Sequence, residues 1–201
     1  MFPAVTEQFV FNDQTITLQI PQETAVQHWY REQDQQTPFP FWARVWPAAK
    51  ALTQFLAEHP HYYANKKVVE FGAGIGLPAL FTATAAADVL ITDHAGDAMD
   101  WLMQYHSSLN QNIRHQQLDW SETFVWPEAD CILMSDVNYK DDDFKDLLKL
   151  IQHYTAQHTM LILATPQRII ARGFVHIITP YIKAVTSTEI DEHPISIYVL
   201  G

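Results

Sequence analysis

The sequence is poor in cysteine, in positive charge, in glycine and in long apolar runs. Its single cysteine, Cys131, excludes a disulfide framework and a Cys-rich zinc site, and it fits a reducing compartment. Twelve Lys and Arg stand against 23 Asp and Glu, a formal net charge of −11. That balance disfavours a nucleic-acid partner, because phosphate binding needs clustered cations. It fits simple solubility or a basic partner. No apolar run reaches the roughly 20 residues that span a bilayer, so no membrane partner is expected. The start, "MFPAVTEQFVFND", has neither the basic region nor the apolar core of a signal peptide. A cytoplasmic chain is the expectation. Apolar and aromatic residues are plentiful: 48% of the chain is hydrophobic, with six Trp, eight Tyr and eleven Phe. That supplies a full core and argues against disorder. A length of 201 residues suits one domain, or one domain with an appendage.

Gln8 to Ile20 reads as two β-runs around an Asn12-Asp13 turn, with Phe9 and Phe11 alternating, then Ile16, Leu18 and Ile20. A polar helix or loop follows, "ETAVQHWYREQDQQ", and then an irregular stretch with three prolines. Helix signals resume at Pro47, a good first-turn residue. Strands and helices then alternate. Strands are expected over 66–71, 88–92, 113–118, 130–135 and 159–164. Helices are expected over 77–87, 96–110 and 141–154. Such alternation predicts an α/β fold, a mostly parallel sheet with helices on both faces. Near the end, "AVTSTEI" and "ISIYVL" flank the short polar "DEHP" and predict a closing antiparallel pair.

Three of the six glycines fall in one loop, Glu70-Phe-Gly72-Ala-Gly74-Ile-Gly76, directly after the first strand of the alternation. That position is a ligand site in sheets of this kind. The dinucleotide fingerprint G-x-G-x-x-G needs its third glycine at 77, where Leu77 stands, and no G-K-[ST] follows for a phosphate loop. Glu70 adds an acceptor to the bare backbone amides, which suits a cationic amino acid better than a pyrophosphate. Asp93 ends the next strand, where a carboxylate can accept from both hydroxyls of a ribose. A nucleoside carrying an amino acid is the chemistry of S-adenosylmethionine. A plain turn would need only one residue at positive φ.

The segment from Glu70 to Pro78 resembles motif I of the seven-β-strand, class I methyltransferases. Further residues resemble the non-SET protein lysine methyltransferase branch, methyltransferase family 16. These are "ARVWPAAKAL" with Trp46, "ITD" ending at Asp93, "LDW" with Asp119 and Trp120, "SDVNY" with Asp136 and Tyr139, and "ATPQR" with Arg168. The resemblance runs from about Phe9 to Arg168. It implies a Rossmann-like seven-stranded sheet over 41–201, preceded by an N-terminal hairpin extension over 1–40. It implies S-adenosyl-L-methionine as cofactor and a lysine of a protein substrate as methyl acceptor. By that resemblance Gly72, Ala73, Gly74 and Gly76 let the backbone approach the methionine part, which Glu70 contacts or orders. Asp93 holds the ribose, Trp120 lies against the adenine, Trp46 closes the amino acid end and Ser135 lines the wall. Asp136 and Tyr139 sit where the methyl group transfers. A carboxylate orients an ammonium, and a tyrosine face offers cation–π contact and desolvation. Since a free lysine holds its proton up to a pKa of about 10.4, Asp136 reads as a positioning group rather than a strong base. Asn138 stands where the branch carries an apolar residue, and a changed mouth of the acceptor channel is the expectation.

Other constellations fail. Ten histidines are scattered without the three or four converging ligands of a zinc site. There is no G-x-S-x-G elbow. Cys131 lies among apolar strand residues and reads as inert core. Asp141 to Asp143 read as charge at a helix N-terminus, with Asp141 or Asp142 as the cap. The rival functions are methyl transfer to a small-molecule amine or another protein side chain, a cofactor-binding partner protein without catalysis, and a nicotinamide enzyme.

Overall fold

The chain opens by folding back on itself. In the computed structural model, which describes residues 2–32, 40–106, 112–122 and 125–201, β1 (Ala4–Phe11) and β2 (Gln14–Pro21) pair antiparallel from Ala4 opposite Pro21 to Phe11 opposite Gln14. Asn12 makes the turn at φ 50°, a conformation that asparagine tolerates. One face of the hairpin is apolar, and its Phe11, Leu18 and Ile20 are buried. Helix α1 (Glu23–Glu32) buries Val26 and Tyr30, four residues apart on one face. Helix α2 (Pro47–Glu58) starts on Pro47 as expected, since its first amide needs no helical partner.

The main sheet has seven strands. They are β3 (Lys67–Phe71), β4 (Asp88–Asp93), β5 (Ile113–Gln117), β6 (Cys131–Ser135), β7 (Met160–Pro166), β8 (Ile182–Ile190) and β9 (His193–Leu200). Their spatial order is β5-β4-β3-β6-β7-β9-β8. The first five are mutually parallel, and β9 runs antiparallel to both β7 and β8. The β8–β9 turn uses Asp191 and Glu192, both at positive φ, with no glycine. The order reverses direction between β3 and β6, so the crevice at their carboxyl ends is the switch point of the sheet.

Alternation along each strand divides the core into two. Val68, Val89, Ile91, Leu133 and Ile162 face one side, together with α2, α3 (Leu77–Thr82) and α4 (Gly96–His106). The hairpin and α1 share that side, so their apolar residues belong to the same core as the sheet. Val69, Leu90, Ile132, Met134 and Leu161 face the other side. There they meet α5 (Phe144–Ala156) and α6 (Ile169–Ile178). None of the described helices is long and apolar enough to cross a membrane.

Two expectations need correction, and a third lies partly outside the described residues. The helix read over 77–87 stops at Thr82. There the Thr82 hydroxyl donates to the Ala79 carbonyl and Thr84 does the same to Phe81, and tight turns replace the helix. The helix read over 96–110 is described to His106, and its remaining residues lie outside the described ones. Residues 141–143 form a 3-10 turn before α5, and neither Asp141 nor Asp142 caps the helix with its side chain. Helix α6 answers to no sequence signal that was read. Cys131 is buried at the start of β6, and burial pushes its thiol up to about 12.

Candidate active site

A cleft of about 600 Å³ opens at the carboxyl ends of β3 and β6. The glycine loop forms its floor. Gly72, Gly74 and Gly76 all have positive φ, 63°, 54° and 73°. At Gly72 a side chain has no room, because a Cβ would sit 2.9 Å from Val137 and 3.2 Å from the Trp120 ring. Gly76 ends the loop as the N-terminal residue flanking α3.

Glu70 lies behind this floor and not in the cleft. It is fully buried, and its Oε2 accepts the Ala79 amide at 2.9 Å, inside the first turn of α3. Its Oε1 has no partner among the described residues. Burial pushes the carboxyl up to about 8, against the pull of the Ala79 bond, and the Asp93 charge adds to the rise. Glu70 therefore holds the loop to the helix.

Asp93 ends β4 at the cleft wall and is 5% exposed. Its Oδ2 accepts the Gly74 amide at 2.8 Å, and its Oδ1 accepts the Ala95 amide at 2.9 Å. Neighbouring His94 contacts Oδ1 at 3.3 Å, and the Asp93 bond raises the imidazole's pKa. Opposite, Tyr30 of α1 donates to Asp97 Oδ2 at 2.8 Å and accepts from the Trp42 indole at 3.2 Å. The N-terminal segment thus supplies one wall. Trp46 fixes its own ring by donating to the Phe41 carbonyl at 2.8 Å, with the Arg44 guanidinium stacked 4.1 Å from its ring centroid. Trp120 reaches over Gly72 from the loop after β5.

At the far end Ser135, Asp136 and Tyr139 follow β6 along the wall. Asp136 holds φ 54°, which is sparsely populated for a residue with a Cβ. Its Oδ2 pairs with Arg168 Nη2 at 3.0 Å. Burial pushes its carboxyl up to about 6, although Arg168 pulls it down. Tyr139 packs against Phe41 with the rings tilted by 36° and centroids 5.5 Å apart, and Lys140 Nζ lies 5.4 Å from its centroid. Burial raises the Tyr139 hydroxyl as well. Asn138 does not line the mouth as expected. It is 1% exposed, and neither atom of its amide has a partner among the described residues.

The cleft therefore gathers Trp46, Gly72, Ala73, Gly74, Gly76, Asp93, Trp120, Ser135, Asp136 and Tyr139, and leaves out Glu70. Tyr30, Trp42, Arg44, His94 and Asp97 also line it and were not singled out. Arg168 was noted only as the close of a strand. Arg44 had a signal, its place inside the segment ARVWPAAKAL, and so had His94 and Asp97, just after a motif strand.

Residues 32–179 match the family described as lysine methyltransferase. Histone-arginine methyltransferase METTL23 of Homo sapiens is 32% identical over 114 residues, covering 53% of this chain and 60% of that protein. Protein N-lysine methyltransferase METTL21A of Xenopus tropicalis is 31% identical over 132 residues, covering 63% and 61%. The matched part spans about half to three fifths of the length of the curated relatives. Among solved structures, a putative RNA methyltransferase of Pyrococcus horikoshii superposes with a TM-score of 0.60 at 19% identity, over 77% of this chain and 83% of that one. A Pyrococcus abyssi tRNA (uracil-54, C5)-methyltransferase in complex with S-adenosyl-L-homocysteine gives 0.63 at 12%, over 98% and 44%. These superpositions establish a shared fold. With the family match over most of its length, the chain belongs to the lysine methyltransferase family.

Proposed function

We propose that the protein transfers a methyl group from S-adenosyl-L-methionine to a lysine side chain of a protein substrate. The observation that carries this reading is the meeting of a side-chain-free glycine floor with Asp136 and Tyr139 in one cleft. The cleft's volume suits a small-molecule ligand, for which pockets of about 300–1,000 Å³ are usual. Gly72, Ala73 and Gly74 would take the methionine part along bare backbone. Asp93 Oδ2 accepts one amide and has a lone pair left for a ribose hydroxyl, while Oδ1 already serves both the Ala95 amide and His94. Trp120 would cover the adenine, with Trp46 and Ser135 completing the walls. Bound there, S-adenosylmethionine supplies a methyl carbon on a sulfonium, whose C–S bond breaks towards sulfur as the N–C bond forms.

The chain's own residues receive and align the amine. Asp136 draws in the ammonium, and the rings of Phe41, Trp46 and Tyr139 keep water from it. The amine passes its proton to solvent at the cleft mouth before attack, and desolvation against these rings favours that loss. Alignment contributes most of the rate. Asp136 also bears on the acceptor's identity. With Oδ2 committed to Arg168, one oxygen remains. That suits the single-point charge of an ammonium better than the two-pronged guanidinium. Arginine is the second reading, favoured by the name of the METTL23 relatives. The single thiol, buried at Cys131, supports a cytoplasmic setting.

The test is transfer of labelled methyl to an extract from cells lacking the protein, followed by amino-acid analysis. Label in methyl-lysine is the expected result. Label in methyl-arginine selects the second reading, and label confined to small molecules rejects both. Calorimetry with S-adenosylhomocysteine and NAD checks the cofactor, and binding of NAD alone would sink the proposal.

A further inference from the structure

A second concavity, of about 490 Å³, opens beside the cleft, and Arg168 belongs to the wall of both. It lies along α6 where that helix passes the ends of β7 and β9. Arg172 and His176 line it at four-residue spacing and form a row on one face of α6, and Arg168, the extended residue just before the helix, lines it at the start of that row. Arg168 turns to Asp136 and its charge is committed there. Arg172 and His176 are exposed and form no ion pair among the described residues. The rest of the wall is neutral, with hydroxyls and an amide from Ser196, Tyr198 and Gln167, and it contains no Asp or Glu.

That composition is unusual in this molecule. Acids outnumber Lys and Arg by 23 to 12 over the chain, and the neighbouring cleft carries Asp93, Asp97 and Asp136. The cleft also carries Arg44, Lys140 and Arg168, but its Asp136 keeps one oxygen for a cation, while the groove beside it, free of acids, is fitted to an anion. A nucleic acid is a poor occupant, since one uncommitted arginine on a strongly acidic protein cannot track a phosphate backbone. A peptide that changes sign over a short distance fits both. Beside the row Ile169 is 87% exposed at the first position of α6, an apolar surface for the same segment.

We infer that this row docks an acidic stretch of the substrate polypeptide, flanking the lysine that enters the cleft. The inference rests on the methyltransferase reading for the identity of that lysine. Helical rise sets the distance. Arg172 and His176 lie about 4.5 and 10.5 Å beyond Ile169, the first residue of α6, along the helix axis. An extended chain advances about 3.3 Å per residue, so the carboxylates fall roughly two to five residues from the lysine.

Fluorescence anisotropy tests this with two labelled eleven-residue peptides, each with a central lysine. One carries Glu at the second to fifth positions on both sides, and its twin carries Gln there. The wild type is expected to bind the Glu peptide about tenfold tighter than the twin at low salt, with the advantage shrinking as salt rises. Arg172→Glu should abolish or invert the preference, and Arg172→Lys should keep it. Should Arg172→Glu fold poorly, the double variant Arg172→Gln with His176→Gln removes the same charge more gently and is expected to flatten the preference. Calorimetry with S-adenosylhomocysteine on each protein separates the two claims. If the wild type fails to bind it, the cofactor reading fails while the peptide comparison still judges the groove. Equal affinity for the two peptides, a preference that survives Arg172→Glu, or no measurable binding of the Glu peptide overturns the inference.

Discussion

Asp136 is held between two opposing influences, burial that favours its proton and a guanidinium that favours its charge. Burial wins, and the carboxyl titrates at about 6. The rate of transfer should therefore rise between pH 5 and 7 as the group ionises and can attract the acceptor. Arg168→Gln removes the opposing pull, so that limb should move to higher pH. Asp136→Asn should lose it altogether, with a rate about a hundredfold lower from misplacement of the amine, while S-adenosylhomocysteine still binds. Rates across this pH range for the three proteins check it, and an unmoved limb in Arg168→Gln would show that another group titrates. The glycines give a second comparison. Gly72→Ala drives a Cβ into Val137 at 2.9 Å, whereas Gly76→Ala meets nothing nearer than 3.4 Å. Both carry the cost of positive φ, about 1–3 kcal/mol. Only Gly72→Ala should also weaken S-adenosylhomocysteine binding in calorimetry, because Val137 and Trp120 must move. At this scale the sequence was most legible where short motifs close a strand, as with Gly72 and Gly74 after β3, Asp93 at the end of β4, and Asp136 and Tyr139 after β6, all of which line the cleft. It was silent on Tyr30 with Asp97, which meet across 67 residues of chain, and on the Asp136–Arg168 pair, which spans 32. No local pattern announces such partners.

Most strands are legible to within two residues because their apolar runs are short and bounded by polar loops, but β1 begins at Ala4, four residues before the expected Gln8, in a stretch of exposed residues. Helix α6 escaped because its sequence, IIARGFVHII, is rich in β-branched residues and contains Gly173, both features of strands and breakers. Tertiary burial of Ala171, Phe174 and Ile178 makes it a helix nonetheless. The polar stretch after the hairpin was left open between helix and loop, and its role as a wall depends on one hydroxyl. Tyr30 joins α1 to α4 and to the turn that carries Trp42. Tyr30→Phe leaves the Trp42 indole without that acceptor and Asp97 without that donor, at about 1–3 kcal/mol. Its melting temperature should fall by several degrees, since about 1 kcal/mol is worth roughly 2–4 °C at this size. S-adenosylhomocysteine affinity should fall with it. A variant that melts and binds like the wild type would show that α1 sits on the cleft without holding it.

Across the whole molecule, the site was legible because parallel strands place their carboxyl ends on one edge. Motifs that follow β3, β4, β5, β6 and β7 in sequence must then meet in space, however far apart they are in the chain. The same architecture buries Glu70 behind the loop, and that burial couples folding to pH. Folded Glu70 keeps its proton up to about 8, whereas the ordinary value is 4.5. Between those values the folded chain holds a proton that the unfolded chain has released. Stability therefore falls as pH rises through that window, by at most about 1.4 kcal/mol per pH unit from one group. Asp136 adds the same sign between 3.8 and about 6. His94, its pKa raised by Asp93, also loses stabilisation as pH rises, while His115, lowered by burial, opposes it. A single substitution isolates Glu70 from these. In Glu70→Gln the carbonyl can still accept the Ala79 amide, but the side chain cannot ionise. Denaturant unfolding at pH 5 and pH 8 should then show a smaller loss of stability in the variant than in the wild type. The variant should be the more stable of the two at pH 8, and the difference should shrink towards pH 5. Equal losses in the two proteins would mean that Glu70 is ionised in the fold, and that its unpartnered oxygen is met by something other than a proton.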